Sequence, residues 1–248
     1  MPELLENNEI NRIERKFLLA HADLWAMGFA ILGIFLSTSF SRTGMAESHA
    51  IILLSSIIQG ICASFIFLGY EIGRRRYGLA WKELIPLKTI NLPRRLITAA
   101  GWALGLFFLV TASNWVVARV IMQHSTPSPM IGIMRQAAWP TRLCLLARVA
   151  LFAPILEELF FRHALQRALT TYGAEVYAGC ANGYVAFLIT SLLFADLHGI
   201  GWAIPGLFLF AMGLCFLCRK QDVLTCIMAH GIYNLLVATV VLIPARHP

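Results

Sequence analysis

Charged residues are scarce in this sequence. Asp, Glu, Lys and Arg supply only 13% of its 248 residues, which is about half of their usual share in soluble domains. Hydrophobic residues make up 58%, and the mean hydropathy is +0.71. So little charge argues against a soluble globular protein, and it predicts an all-α, polytopic membrane helix bundle.

Several motifs are also absent. The chain has no internal repeat, which argues against a transporter built from two related halves. It lacks H-E-x-x-H, the helical zinc motif. Cys215 and Cys218 form a single C-x-x-C without a second pair, so we interpret the cysteines as packing residues rather than metal ligands. The first residues stay polar for too long to be a cleavable signal peptide, and they predict a cytoplasmic lead-in over residues 1–21.

Apolar segments long enough, or nearly so, to cross about 30 Å of hydrocarbon recur along the chain. We expect about seven transmembrane helices, with a range of six to eight. Turn-forming residues at 125–129, 170–173, 198–201 and 219–222 mark breaks between them. The segments are 22–41, 49–70, 96–122, 143–169, 177–198, 201–218 and 223–243. We divide the chain into the lead-in, N-terminal transmembrane helices at 22–142 with a basic inner loop at 71–95, and a C-terminal catalytic core at 143–243.

The positive charges predict an orientation. The net charge is +7, but the basic residues cluster in short segments between apolar spans, which is typical of topology determinants and not of nucleic-acid binding. With the N-terminus inside, 13 Lys and Arg fall in inner segments and 4 in outer ones. We therefore predict a cytoplasmic N-terminus, with loop 71–95 lying along the inner headgroups. A re-entrant fifth segment would invert the C-terminal half.

The stretch "EELFFR", residues 157–162, places charge inside an apolar segment. Glu157, Glu158 and Arg162 would together cost roughly 8–10 kcal/mol in hydrocarbon if each were isolated. Glu158 and Arg162 are four residues apart, so they share a helix face and suit an ion pair. Glu157 is rotated by about 100° from Glu158. A buried salt bridge explains Glu158 and Arg162, but it leaves Glu157 unexplained.

Two later segments add polar side chains. "FADLH" ends in His198, and "HGIYN" places His230 and Asn234 on one helix face. Because such residues must face the bundle interior or water, we expect them to converge with the two glutamates. A carboxylate and an imidazole suit general base catalysis, and a second imidazole with an amide can stabilise an oxyanion. The set predicts a hydrolase that activates water to cleave an amide bond.

The stretches "APILEELFFRHAL", "TSLLFADLHG" and "HGIYN" also resemble the three ordered motifs of the CAAX protease and bacteriocin-processing (Abi) family. This family includes the type II CAAX prenyl endopeptidases, and the similarity covers residues 143–243. The resemblance implies a glutamate-dependent intramembrane protease without a catalytic metal or other cofactor. By motif, Glu157 would activate water with help from His198. His230 and Asn234 would form the oxyanion site, and Glu158 and Arg162 would fill the remaining motif positions.

The chain departs from the family pattern at two positions. His163 follows the motif arginine where the family usually has glycine, and Asp196 is an additional acid beside His198. Asp196 could face an outer vestibule or pair with Arg148 or His163. Both departures bear on substrate preference more than on the chemistry.

Two alternatives stay open at this stage. Glu157, His198 and His230 could instead bind zinc in a metal-dependent protease. The polar cluster could also be the structural core of a transporter, scaffold or immunity protein. We expect a membrane protein or peptide as substrate, the lipid bilayer as environment, no nucleic-acid partner and a multi-pass location in a bacterial inner membrane. The oligomeric state does not follow from the sequence.

Overall fold

The computed structural model describes residues 2–41, 49–122, 137–176, 183–198 and 200–242, and these residues form helices without any β-strand. The fold is therefore the predicted all-α membrane bundle. In chain order the helices are α1 (Pro2–Ser41), α2 (His49–Tyr77), α3 (Trp81–Leu84), α4 (Leu92–Val116), α5 (Trp139–Ala147), α6 (Ala153–Glu157), α7 (Gln166–Val176), α8 (Tyr184–Leu197), α9 (Ile204–Lys220) and α10 (Val223–Leu242).

Three of these helices meet the length and hydropathy needed to cross a membrane within the described residues: Leu92–Val120, Gly201–Lys220 and Val223–Val240. The apolar helix α8 is shorter. Each of the apolar segments predicted from the sequence coincides with a helix or its described part, although the number of membrane crossings remains a prediction. The predicted lead-in 1–21 is helical from residue 2, and it forms the first half of α1, which continues without a break to Ser41.

The break expected at 170–173 is wrong, because α7 runs through these residues to Val176. One glycine inside a helix costs only about 1 kcal/mol, and Tyr172 packs its ring 5.9 Å from that of Phe17 on α1. The expected breaks at 198–201 and 219–222 coincide with helix ends. Residues 125–129 lie outside the described part of the chain.

Helices α1 and α2 pack as a close pair. A Cβ placed on Gly69 would lie 2.6 Å from the Trp25 carbonyl oxygen, and one on Gly73 would lie 2.8 Å from Ala22 Cβ. Only glycine allows the two backbones to approach this closely, as small residues commonly do between membrane helices. Asp23 is fully buried at this contact and forms a bidentate ion pair with Arg167 of α7. The pair α1–α2 is thereby joined to the helix that carries "EELFFR".

Helices α5, α6 and α7 form one continuous rod over residues 139–176, which we call the motif helix. Two stretches of wider π-helical turns, Arg148–Phe152 and Glu158–Leu165, lie within it. Such turns occur mostly as local insertions in α-helices and often at functional sites. Helices α4, α9 and α10 pack beside the motif helix, and Leu106 of α4 fills the space above Gly213 of α9.

One end of the bundle is basic, and we call it the basic end; its charged residues include Arg74, Arg75, Arg76, Lys82, Lys88, Arg94, Arg219 and Lys220. Asp222, in the turn between α9 and α10, accepts hydrogen bonds from the Arg95 guanidinium and from the backbone N–H groups of Lys88 and Thr225. Burial acts to raise the pKa of Asp222, but these hydrogen bonds outweigh it and lower the pKa below its usual value. Within the predicted loop 71–95, α2 continues to Tyr77 and α4 begins at Leu92, and Lys88 attaches the segment between them to the α9–α10 turn.

Candidate active site

Pro154 shapes the segment in front of the two glutamates. In the wide turn that precedes it, the Ala153 N–H donates to the carbonyl of Arg148, five residues back. Proline has no N–H, so the next carbonyl in this pattern, that of Val149, receives no bond from residue 154. The Asn234 side chain supplies the bond instead, with its Nδ2 2.7 Å from the Val149 oxygen. Asn234 therefore joins α10 to the motif helix.

Gly231 brings α10 against the same segment. A Cβ on Gly231 would lie 2.4 Å from the Ala150 carbonyl oxygen, a distance that real Cβ atoms do not tolerate. The contact places His230, the neighbouring residue, beside the motif helix. The spacing H-x-x-x-N thus serves the packing of α10 against the motif helix.

Glu158 is fully buried, and it links two of the predicted site residues. Its Oε1 lies 2.7 Å from His230 Nδ1, and its Oε2 lies 3.3 Å from Arg162 Nε. The second contact is an ion pair by distance, but its orientation does not make a hydrogen bond. Arg162 and Glu158 therefore attract each other as charges without a hydrogen bond between them. The predicted pairing of Glu158 with Arg162 is present, and the bond to His230 is an addition to it.

Glu157 faces the other nitrogen of the same imidazole. Its Oε2 lies 3.8 Å from His230 Nε2, and its side chain keeps 24% of its surface exposed. This oxygen is buried and has no hydrogen-bond partner among the described residues. The structure therefore places one carboxylate in a fixed pair and leaves the other with an available oxygen.

Aromatic rings enclose these polar groups. The Arg162 guanidinium lies 4.4 Å from the centre of the Phe194 ring, which favours a cation–π contact. The Phe210 ring lies 4.9 Å from the His230 ring at a steep angle. Neither phenylalanine was among the predicted site residues. Phe194 occupies the first position of F-x-x-x-H, and that spacing was the signal available in the sequence.

His198 directly follows the last residue of α8, Leu197. Its ring centre lies 4.5 Å from that of Phe194, with the two planes tilted by 44°, and the Phe194 ring is itself 6.2 Å from the His230 ring. His198 Nδ1 is 2.7 Å from the Phe194 carbonyl oxygen. A carbonyl only accepts hydrogen bonds, so Nδ1 carries the proton and the exposed Nε2 of a neutral ring is a base. The Phe194 ring thus lies near both imidazoles.

The described residues contain no group of three His, Cys, Asp or Glu side chains arranged to hold a metal ion. The zinc set Glu157, His198 and His230 is thus not assembled in this part of the chain. His230 Nδ1 is already bonded to Glu158, which leaves only Nε2 for other contacts.

His163 has a structural partner. It is buried, and its Nε2 contacts the carbonyl oxygen of Leu84, which also accepts a hydrogen bond from Arg167. These bonds attach α3 to the motif helix. Asp196 is exposed and forms no ion pair with Arg148 or His163, as far as the described residues extend. Of the two alternatives for Asp196, the pairing with Arg148 or His163 is therefore not present there.

Comparison with known proteins agrees with the motif pattern. The sequence model of the family described as type II CAAX prenyl endopeptidase Rce1-like matches residues 139–236. The UPF0177 protein YxdF of Lactococcus lactis subsp. lactis (strain IL1403) is 26% identical over 142 residues, which cover 54% of this chain and 72% of that protein. No solved structure shows significant similarity to the chain.

All six residues predicted from the motifs fall inside the matched region. Four of them are joined by successive contacts, from Glu157 to His230, from His230 to Glu158 and from Glu158 to Arg162. The family points to a protease embedded in a membrane and acting on a peptide substrate. The resemblance inferred from the motifs is confirmed, because residues 139–236 of this membrane protein match the model of the Rce1-like family of CAAX-type proteases.

Proposed function

We propose that this protein is an intramembrane endopeptidase that hydrolyses a peptide bond in a membrane-associated or lipid-anchored protein or peptide, using water activated by Glu157. The main support is the separation of 3.8 Å between Glu157 Oε2 and His230 Nε2. This is too long for a direct hydrogen bond, but one water oxygen can lie within about 2.8 Å of both atoms. A carboxylate and an imidazole arranged in this way can orient a water for attack.

Charge balance supports the assignment of His230 as an oxyanion donor. Glu158 and Arg162 carry opposite charges at 3.3 Å. With His230 as an imidazolium, the formal charges of Glu157, Glu158, Arg162 and His230 would sum to zero. In this form Nδ1–H donates to Glu158, and Nε2–H is directed toward the side of Glu157. Nε2–H is then the donor for a developing oxyanion.

Asn234 would supply a second donor. One hydrogen of its amide is engaged by the Val149 carbonyl, and the other remains for the oxyanion. The bond to Val149 fixes the amide plane, so the second N–H has a defined direction. Its role is thus both positioning and catalytic.

The proposed reaction begins as Glu157 takes a proton from water while the water oxygen bonds to the carbonyl carbon. His230 and Asn234 stabilise the negative oxygen of the tetrahedral intermediate. Transfer of the proton to the leaving nitrogen breaks the C–N bond. His198, through an unprotonated Nε2, would assist the proton transfers.

We further propose that the chain crosses a bacterial inner membrane several times, with the basic end facing the cytoplasm. The basic end carries the cluster of Lys and Arg expected of inner segments. Support for a peptide substrate comes from the family and from the three motifs.

The test uses the full chain in proteoliposomes with a library of membrane-anchored peptides, whose products are identified by mass spectrometry. Glu157→Gln is expected to fold normally and to lose about 10²- to 10⁴-fold in kcat, with little change in KM. Glu71→Gln, a partly exposed acid at the end of α2, is the matched control and should cleave as the wild type does. Wild-type turnover in Glu157→Gln would refute the proposal. Inhibition by a chelator, reversed by zinc, would favour the metal-dependent alternative.

A further inference from the structure

Unpartnered polar atoms follow one side of the motif helix. Among the described residues, the buried side-chain atoms without a hydrogen-bond partner belong to Glu157, Glu158, Arg162, Gln166 and Asn114. Four of these five residues lie on the motif helix, at spacings of five and four residues from Glu157 to Arg162 to Gln166. In a stretch with π-helical turns, such spacings keep side chains on one face. We call Glu157, Glu158, Arg162 and Gln166 the polar row.

The polar row ends at a cavity of about 450 Å³. This cavity lies at the basic end, between the loop that follows α3, the motif helix and the α9–α10 turn. A water occupies about 30 Å³ in the liquid, so the cavity has room for several. Its lining includes Lys88, Arg162, Gln166, Thr170, Cys218 and Gln221.

The hydrogen-bonding character of the row indicates which ligand it takes. Arg162 has only donors, whereas the free oxygens of Glu158 and Gln166 only accept. An anion would satisfy the guanidinium but not the two oxygens. Water donates and accepts, and it is small enough to join atoms that are buried on all sides. Buried polar groups without a protein partner are commonly satisfied by such waters.

We propose that the polar row is a water route, through which the water consumed in hydrolysis reaches Glu157 from the basic end of the bundle. Substrate would approach from the opposite side, where Glu157 keeps 24% of its side-chain surface exposed and His198 is exposed. Gln166 is a positioning residue in this route, since it lines the cavity together with Arg162. The role of the route in hydrolysis rests on the proposed function, whereas the presence of water along the polar row does not.

The atoms of the reaction balance with this route. Each cleaved peptide bond consumes one water: its oxygen bonds to the carbonyl carbon, and one proton passes through Glu157 to the leaving nitrogen. The other proton leaves with the new carboxyl group. One water must therefore enter for every turnover, and a route separate from the substrate entrance supplies it while substrate is bound.

Hydroxyl-radical footprinting in ¹⁸O-labelled water detects the route directly, because radicals made from bound water label the side chains beside it. We expect Cys218, at the cavity, and Phe161, whose ring lies 5.7 Å from the Arg162 guanidinium, to be labelled in the detergent-solubilised full chain. Gln166→Leu should reduce this labelling several-fold. Absence of labelling at both positions in the wild type would overturn the proposal.

Kinetics supply the second measurement. Gln166→Leu is expected to lower kcat about tenfold with KM nearly unchanged, since water delivery and not substrate binding is impaired. Gln166→Asn, which retains an amide, should recover most of the loss. Asn114→Leu is the matched control, because it removes the one unpartnered buried amide oxygen that lies off the row in the described structure. Equal effects of Gln166→Leu and Asn114→Leu on kcat would contradict a specific route.

The two proposals can fail separately. Labelling that persists in Glu157→Gln, together with no proteolysis by the wild type, would reject the protease and retain the water route. Proteolysis without labelling of Cys218 and Phe161 would reject the route and retain the protease.

Discussion

Removal of one member of the Glu158–Arg162 pair should destabilise the protein far more than removal of both. The two side chains are 0% and 1% exposed, and the ion pair spans 3.3 Å. Arg162→Met leaves the Glu158 carboxylate buried without its countercharge, which typically costs about 3–5 kcal/mol. Glu158→Gln leaves the guanidinium unpaired, although the new amide oxygen still accepts the bond from His230.

The double variant Glu158→Gln/Arg162→Met contains no charge from this pair. Replacement of a buried ion pair by neutral groups of similar size is often nearly neutral for stability. We therefore expect the double variant to be more stable than either single variant, with a coupling free energy of at least about 3 kcal/mol in the mutant cycle. Stability is measured as reversible unfolding of the purified protein in mixed detergent micelles.

The pair Glu71–Arg74 provides a matched cycle at an exposed site. Its atoms lie 2.7 Å apart, but the two side chains remain 25% and 32% exposed. Solvent screens such pairs, so no measurable coupling is expected there. If the free energies of the Glu158 and Arg162 single variants simply added in the double variant, the reasoning from burial would be refuted.

Two further predictions concern packing and pH. Gly231→Ala should destabilise the bundle by about 1–3 kcal/mol, because its Cβ would lie 2.4 Å from the Ala150 oxygen. Gly105→Ala is the control, since its Cβ meets nothing within 4 Å. Equal melting temperatures of the two variants would contradict the contact. The lowered pKa of Asp222 predicts stability that is present above the unfolded pKa of about 3.9 and is lost as pH falls through the lower folded value. The free energy of unfolding of Asp222→Asn, followed from pH 3 to 7, should lack this part of the acid dependence. Parallel curves for the wild type and Asp222→Asn would show that Asp222 contributes nothing to it.

The sequence predicted the class of fold well, for simple reasons. Scarce charge and long apolar segments leave few alternatives to membrane helices. Ionisable residues inside such segments are costly, so Glu157, Glu158, Arg162 and His230 had to converge. The i, i+4 spacing was sufficient to predict the contact between Glu158 and Arg162, since both lie on the same helix. The error at 170–173 arose because turn-forming residues are tolerated in a helix that packing holds.

Which glutamate contacts which nitrogen was decided by the tertiary structure. Helical periodicity gives the relative directions of Glu157 and Glu158, but not the rotation of α10 against the motif helix. That rotation is set by Gly231 against the Ala150 carbonyl and by Asn234 at the Val149 carbonyl that Pro154 leaves free. It brings His230 Nδ1 to Glu158 and Nε2 toward Glu157. The sequence alone determined a membrane helix bundle with a buried set of acids and imidazoles. The pairing of these groups required the packing of helices that are distant in sequence. Close packing and the wide turns depend on contacts between residues that no local pattern contains.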